Sequence, residues 1–345
     1  MHLGASAAAA LGAPAVFAQT SSRAAAASAS LTPIKFTLDY RITGQIAPFF
    51  VALYKGYYEQ EGVSPVFDVG SGSVASITRI ASGAYDMGSG DVSSLIELHA
   101  AQPGAPSVQA VYQYYNRAPF VIIGRKDRGV TTDFKSLRGK RIAAAAVEST
   151  RRVWPMAARQ SGVAVDAFEW ITTDFSQRDN VIVRGDVDGA TYFHDSALSL
   201  FERIDPSQLS VLSYADVGVA LYGNAFLAST KMIAENPKAI AGFLRATNRG
   251  LMETLANPLA AMAFVKQREG LIDEKLEARR FEITAAYLTA ADTRTHGVGA
   301  VRAELVQQQV DQVSEIFGLK TKPDASQIYN LSFMPPLAER MVKRA

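Results

Sequence analysis

Apolar and polar residues alternate along residues 34–40, with Ile34, Phe36 and Leu38 sharing one side, the period of a half-buried strand. The period then changes. PFFVALYKGYYEQE (48–61) carries its apolar residues at helical spacing, with Pro48 suited to a first turn and Gly62 to a stop. A strand at 66–69, a glycine-serine turn and a helix at 74–82 follow; a strand at 85–88, a second glycine-serine turn at 88–91 and a helix at 91–101 repeat the order. Strand, polar turn and helix in alternation predict crossover units and a mostly parallel sheet covered by helices.

The order restarts beyond VQAVYQYYNRAPFVIIGRK (108–126), where Pro119 and the apolar run 120–123 predict a strand. Residues 136–146 read as a turn and strand, 147–160 as a helix from about Ser149, and 187–193 as another strand. A strand run at 217–230 leads into a helical tail, with helices opening at Asn236-Pro237 and Asn257-Pro258 and apolar spacing of three and four over 274–288 and 301–317. The expected organisation is one α/β lobe from 34–118 and 222–345 and a second from 119–221, joined by a two-strand hinge. Ligands of α/β proteins bind at the carboxyl ends of strands and between domains, so the cleft between the lobes is the expected site.

Composition removes most other chemistries. At 345 residues, 48% hydrophobic and 20% charged, the chain falls in the range of ordinary folded proteins. A balance of 35 basic against 33 acidic side chains, with no dense basic stripe, gives no footprint for nucleic acid. There is no cysteine, so thiolate nucleophiles, disulfides, cysteine-bound zinc and iron–sulfur clusters are excluded, and the four histidines are too scattered for a helical metal pair. No metal and no cofactor is expected. The charge-free run 3–22, with Val16-Phe17-Ala18 placing small residues at −3 and −1, reads as a signal peptide cut after Ala18, followed by a flexible leader at 19–33. The expected location is a bacterial periplasm.

Several residues are placed by this pattern to meet a ligand. Ser71 and Ser73, in GSGS (70–73), stand between a strand and a helix, where hydroxyls, backbone N–H groups and the helix dipole suit a carboxylate, sulfonate or phosphate. Ser89 and Asp91 occupy the next glycine-serine turn. With Val74 and Ala75 the first turn also fits G-x-G-x-x-A, but the acidic residue that a dinucleotide site needs at a second strand end is missing. Asn116 and Arg117 precede the first crossing. Ser149, Thr150 and Arg151 open a second-lobe helix, with Arg151 or Arg117 able to pair an acid through a bidentate guanidinium. Tyr192 and His194 end a strand at the matching edge, and Tyr222 and Asn224 lie on the return crossing. No G-x-S-x-G elbow accompanies any serine, which argues against a hydrolase.

The segments KFTLDYRITGQIAPFFVALYKGYYEQEGV, GSGSVASITRIASGAYDMGSGDVSSLI, LRGKRIA and YGNAFLASTKMIAENPKAIAGFLRATNRG together resemble solute-binding proteins of ABC importers. The likeness is to the NMT1/THI5-like group, which includes pyrimidine-precursor, aliphatic sulfonate, taurine and nitrate binders. It implies a type II periplasmic-binding-protein fold of two α/β lobes, a small-molecule ligand, a permease and ATPase as partners, and a monomer without catalysis. It also implies that Tyr40, after Leu38-Asp39, stacks on the ligand, and that Tyr222 and Asn224 belong to the last binding segment. The same family name covers a fungal enzyme with a cysteine-rich iron motif, which a chain without cysteine cannot carry. The expected function is capture of a heterocyclic or aromatic solute bearing an acidic group. The alternatives are a secreted α/β hydrolase, a dinucleotide-dependent enzyme, or a periplasmic ligand sensor.

Overall fold

In the computed structural model, residues 1–2, 30–290 and 292–342 are described. All but the first two residues of the expected signal peptide, and most of the leader, lie outside them. Contacts divide the chain after Ser30, and Leu31–Ala345 is one unit.

Among the described residues, ten strands form two five-stranded sheets. The first sheet holds β1 (Thr32–Thr37), β2 (Val63–Asp68), β3 (Met87–Asp91) and β4 (Val108–Gln113). The second holds β5 (Phe120–Arg125), β6 (Arg141–Ala144), β7 (Glu169–Thr172), β8 (Gly189–Phe193) and β9 (Leu209–Ser213). β10 (Asn224–Ser229) returns to the first sheet. The orders are β2-β1-β3-β10-β4 and β7-β6-β8-β5-β9, so each sheet takes one strand that has just crossed from the other, β10 or β5, and inserts it next to an edge. Those two inserted strands run antiparallel to both neighbours, while β1–β2, β1–β3, β6–β7 and β6–β8 are parallel. The sheets are therefore mixed rather than mostly parallel, because a chain that crosses the hinge enters each lobe from the cleft side. The two crossings bond to each other: the Tyr115 amide donates to Asn224 O at 2.9 Å and the Ala118 amide to Leu221 O at 2.9 Å.

Two local expectations fail for reasons that involve glycine. The helix expected over 48–61 is two helices, Ala47–Tyr54 and Tyr57–Gln60, broken where Gly56 takes φ 72°. The expected turn at 88–91 is strand: β3 runs through Gly88, Ser89 and Gly90, and all of it is buried. A Cβ on Gly88 would stand 2.6 Å from Thr37 O, and one on Gly90 would stand 2.9 Å from Ile77 Cγ1, so only glycine lets this strand pass beneath β1 and the helix Ser73–Ala81.

One core packs aromatic rings behind the first sheet, with Phe36 against Phe49 at 5.1 Å and Phe243 at 5.3 Å. A second joins residues of both sheets, including Val108 and Ala110 of the first and Phe120 and Ile142 of the second, and a third covers the far face of the second sheet around Ile123 and Tyr192. No helix among the described residues is long and apolar enough to cross a membrane.

Candidate functional site

The segments that follow the carboxyl ends of β1, β2, β6, β7 and β8 converge on one cleft of about 500 Å³ of open space, with walls from both sheets. On the first-lobe side, the chain leaving β2 lies against the end of β1. Gly70 N–H donates to Tyr40 O at 3.2 Å and Gly72 N–H to Asp39 O at 2.7 Å. A Cβ on Gly70 would fall 1.9 Å from Leu38 O, and Gly72 has φ 106°, so both positions require glycine. This contact sets the start of the helix Ser73–Ala81 beside Asp39 and Tyr40, and no side chain caps that start.

Asp39 is half-buried, between the Ser89 hydroxyl, which donates to Oδ1 at 2.9 Å, and the Asn224 amide, which donates to Oδ2. Burial pushes its carboxyl above the ordinary 3.8 despite these donors, and nearby Asp195 pushes the same way.

The second-lobe wall opposes it. Glu148 is the N-cap residue of the helix Ser149–Ser161, whose start also lacks a side-chain cap, and Ser149 lines the cleft. Arg178 opens the helix Arg178–Arg184 after β7 and pairs with Glu148 at 3.0 Å, with both side chains buried. Phe175 meets Tyr40 edge to face across the cleft at 6.1 Å. Gln45, Val147, Phe193 and Ser196 complete the lining.

A buried polar cluster centres on Asp195, which directly precedes the lining residue Ser196. Asp195 accepts from Tyr115 at 2.5 Å and Thr284 at 2.8 Å, Arg280 donates to its backbone carbonyl at 2.6 Å, and Arg280 also pairs with Glu277 at 2.8 Å. Away from this cluster, Arg152 binds Glu97 through two 2.6 Å contacts, joining the helices Ser149–Ser161 and Val92–Ala101.

Of the residues expected from sequence, Tyr40, Ser73 and Ser149 line this cleft. Ser89 and Asn224 stand behind Asp39 as its hydrogen-bond partners. Thr150 is fully buried and donates to Tyr192 O at 3.4 Å; Tyr192 itself is buried, carrying the Arg178 guanidinium 4.0 Å over its ring. Ser71 is exposed outside the lining. Asp91 caps the helix Val92–Ala101 through Ser93 N–H at 3.1 Å, and burial pushes its carboxyl up to about 7. Arg151 turns away, donating to Thr172 Oγ1 at 3.1 Å with its guanidinium 5.0 Å over Trp170. Asn116, Arg117 and Tyr222 line a second, larger cavity of about 1090 Å³ instead. His194 shares a 2.9 Å hydrogen bond with the Tyr287 hydroxyl. Arg178, Phe175, Gln45 and Ser196 were not singled out from sequence. The one available signal was an aromatic and an arginine within the polar stretch TTDFSQRDN (172–180).

Comparison with known proteins agrees with this architecture. The riboflavin-binding protein RibY of Chloroflexus aurantiacus is 26% identical over 332 residues, covering 92% of this chain and 90% of that protein. A 4-amino-5-hydroxymethyl-2-methylpyrimidine phosphate synthase of Aspergillus parasiticus is 24% identical over 272 residues, covering 75% and 78%. Among solved structures, the periplasmic aliphatic sulphonate binding protein SsuA of Escherichia coli superposes with a TM-score of 0.68 at 16% identity, over 87% of this chain and 92% of that one. This likeness shows the two-lobed periplasmic-binding-protein fold. The family described as NMT1/THI5 like matches residues 43–261, and the chain belongs to it.

Proposed function

We propose that this protein is the solute-capturing component of an ABC import system, exported to the periplasm with a cut after Ala18 and working as a monomer with an inner-membrane permease and ATPase. Its two lobes, divided at 118/119 and 221/222, close on a planar heterocycle that carries an acidic group. The observation that carries this reading is the cleft itself, to which each lobe contributes an aromatic ring and an uncapped helix start. Tyr40 and Phe175 now touch edge to face, so a flat ligand enters between them only as the lobes part. Each stacked ring adds about 0.5–1.5 kcal/mol beyond burial. Asp39 offers a carboxylate acceptor to a ring N–H, and the helix starts favour negative charge. A relative named for binding riboflavin supports the heterocycle, and a structural neighbour named for sulphonates supports the acid.

The synthase-named relatives favour a second reading, an enzyme acting on a pyrimidine. The absence of cysteine speaks against the cysteine-rich iron motif of that fungal chemistry. A thermal-shift panel of riboflavin, pyrimidines, aromatic carboxylates and aliphatic sulfonates separates the two. A ligand at 100 times its dissociation constant adds about 2.7 kcal/mol to apparent stability. The transport reading expects such a shift from a heterocycle or aromatic acid, with the ligand recovered unchanged. Recovery of a chemically altered ligand would favour the enzyme, and a flat response across the panel would overturn the ligand class.

A further inference from the structure

The second-lobe wall holds a guanidinium whose hydrogen bonds are incomplete. Arg178 is 3% exposed, yet its side chain lines the cleft. Nη1 donates to Glu148 Oε1 at 3.0 Å and Nη2 reaches Ser196 Oγ only at 3.5 Å, while Nε has no hydrogen-bond partner among the described residues. Tyr192 lies against the guanidinium at 4.0 Å and Phe175 at 5.3 Å, and these aromatic rings offer no in-plane acceptor to its N–H groups. Both Glu148 oxygens are engaged: Oε1 takes Arg178, and Oε2 takes the Thr191 hydroxyl at 2.9 Å and the Ala145 amide at 3.2 Å. It therefore anchors the guanidinium without exhausting it. Immediately beside it, the start of the thirteen-residue helix Ser149–Ser161 faces the cleft without a side-chain cap. Buried donors are seldom left unpaired, and here the cleft is where an acceptor can arrive.

We infer that Arg178 and the N-terminus of the helix Ser149–Ser161 form an oxyanion subsite for the acidic group of the ligand, with Glu148 as the positioning residue. The inference rests on the reading of the cleft as a solute site and assigns the acid to a residue pair, in place of Arg117 or Arg151. Carboxylate, sulfonate and phosphate share the chemistry it recognises, three oxygens or two meeting a guanidinium edge and helix amides.

Inorganic phosphate and methanesulfonate test it without any ring. They are titrated into the full chain by thermal shift at constant ionic strength, with chloride as reference. Arg178→Gln should weaken both anions by about tenfold or more, because the charged donor is lost. Glu148→Gln should tighten both by about threefold, because a competing negative charge is removed while an oxygen remains to hold Arg178. A merely structural role moves both variants in the same direction, so opposite signs are the diagnostic result. If Arg178→Gln does not fold, the double variant Glu148→Gln/Arg178→Gln carries the test, with a loss of about tenfold or more expected relative to Glu148→Gln. Wild-type protein indifferent to both anions, or loss of affinity in both single variants, would overturn the inference. Riboflavin, followed by its fluorescence, runs in parallel: riboflavin binding without any anion response sinks the subsite alone, and an anion response of the stated signs without riboflavin binding upholds it while removing the flavin-like ring.

Discussion

Glu148→Ala should cost the protein about 3–5 kcal/mol of stability, the range for breaking a buried ion pair by removing one partner. The two side chains of the Arg178–Glu148 pair are 4% and 3% exposed, so the stranded guanidinium has little access to water. The Thr191 hydroxyl and the Ala145 amide lose their acceptor in the same step. Burial already holds the Glu148 carboxyl above its ordinary value even with Arg178 beside it, which shows how poorly this pocket solvates a lone charge. Removing both charges together, as Glu148→Leu/Arg178→Met, should cost far less, since no ion is left unpaired. Chemical denaturation of the three proteins measures the difference. An exposed pair such as Arg184–Asp186, at 58% and 48%, sets the contrast, for it should contribute only about 0–1 kcal/mol. A loss that small for Glu148→Ala would mean that water reaches the pair.

Asp39→Ala should weaken binding of a ring ligand by about 10- to 100-fold, the equivalent of a charge-assisted hydrogen bond of about 1.5–3 kcal/mol. Ser89 and Asn224 each satisfy one oxygen of Asp39 and fix its direction, leaving lone pairs on the cleft side for a ring N–H. The pH dependence has a definite sign. Burial raises the Asp39 carboxyl, so affinity should fall as the solution is acidified, with a midpoint above the ordinary 3.8. Asp39→Asn should abolish that acid limb. Its survival in the variant would assign the titration to another group and remove Asp39 from ligand contact.

The parts of the site legible in the sequence are those that local order announces. Tyr40, Ser73 and Ser149 each stand where a strand ends or a helix begins, and in a two-lobed α/β chain those points meet at the cleft. Arg178 was not legible, because its burial depends on Glu148 thirty positions earlier and on Tyr192 and Ser196 later in the chain. On its own, SQRDN reads as a solvated loop. Arg151 misleads for the opposite reason: its position at a helix start suits an anion reader, but its side chain bends back to Thr172 and lies over Trp170. The short strands β7 and β9, four and five residues long, carry too little alternation to stand out. Gly88 and Gly90 look like turn residues until the close approach of Thr37 and Ile77 is known.

Small-angle scattering tests the central claim most directly, that two lobes close on a captured solute. The radius of gyration is compared without ligand and at saturation with riboflavin, or with whichever panel compound shifts the melting temperature most. Closure by ligand contacts from both lobes predicts a smaller radius in the saturated sample. An unchanged radius at full occupancy would contradict the account and describe a rigid pocket.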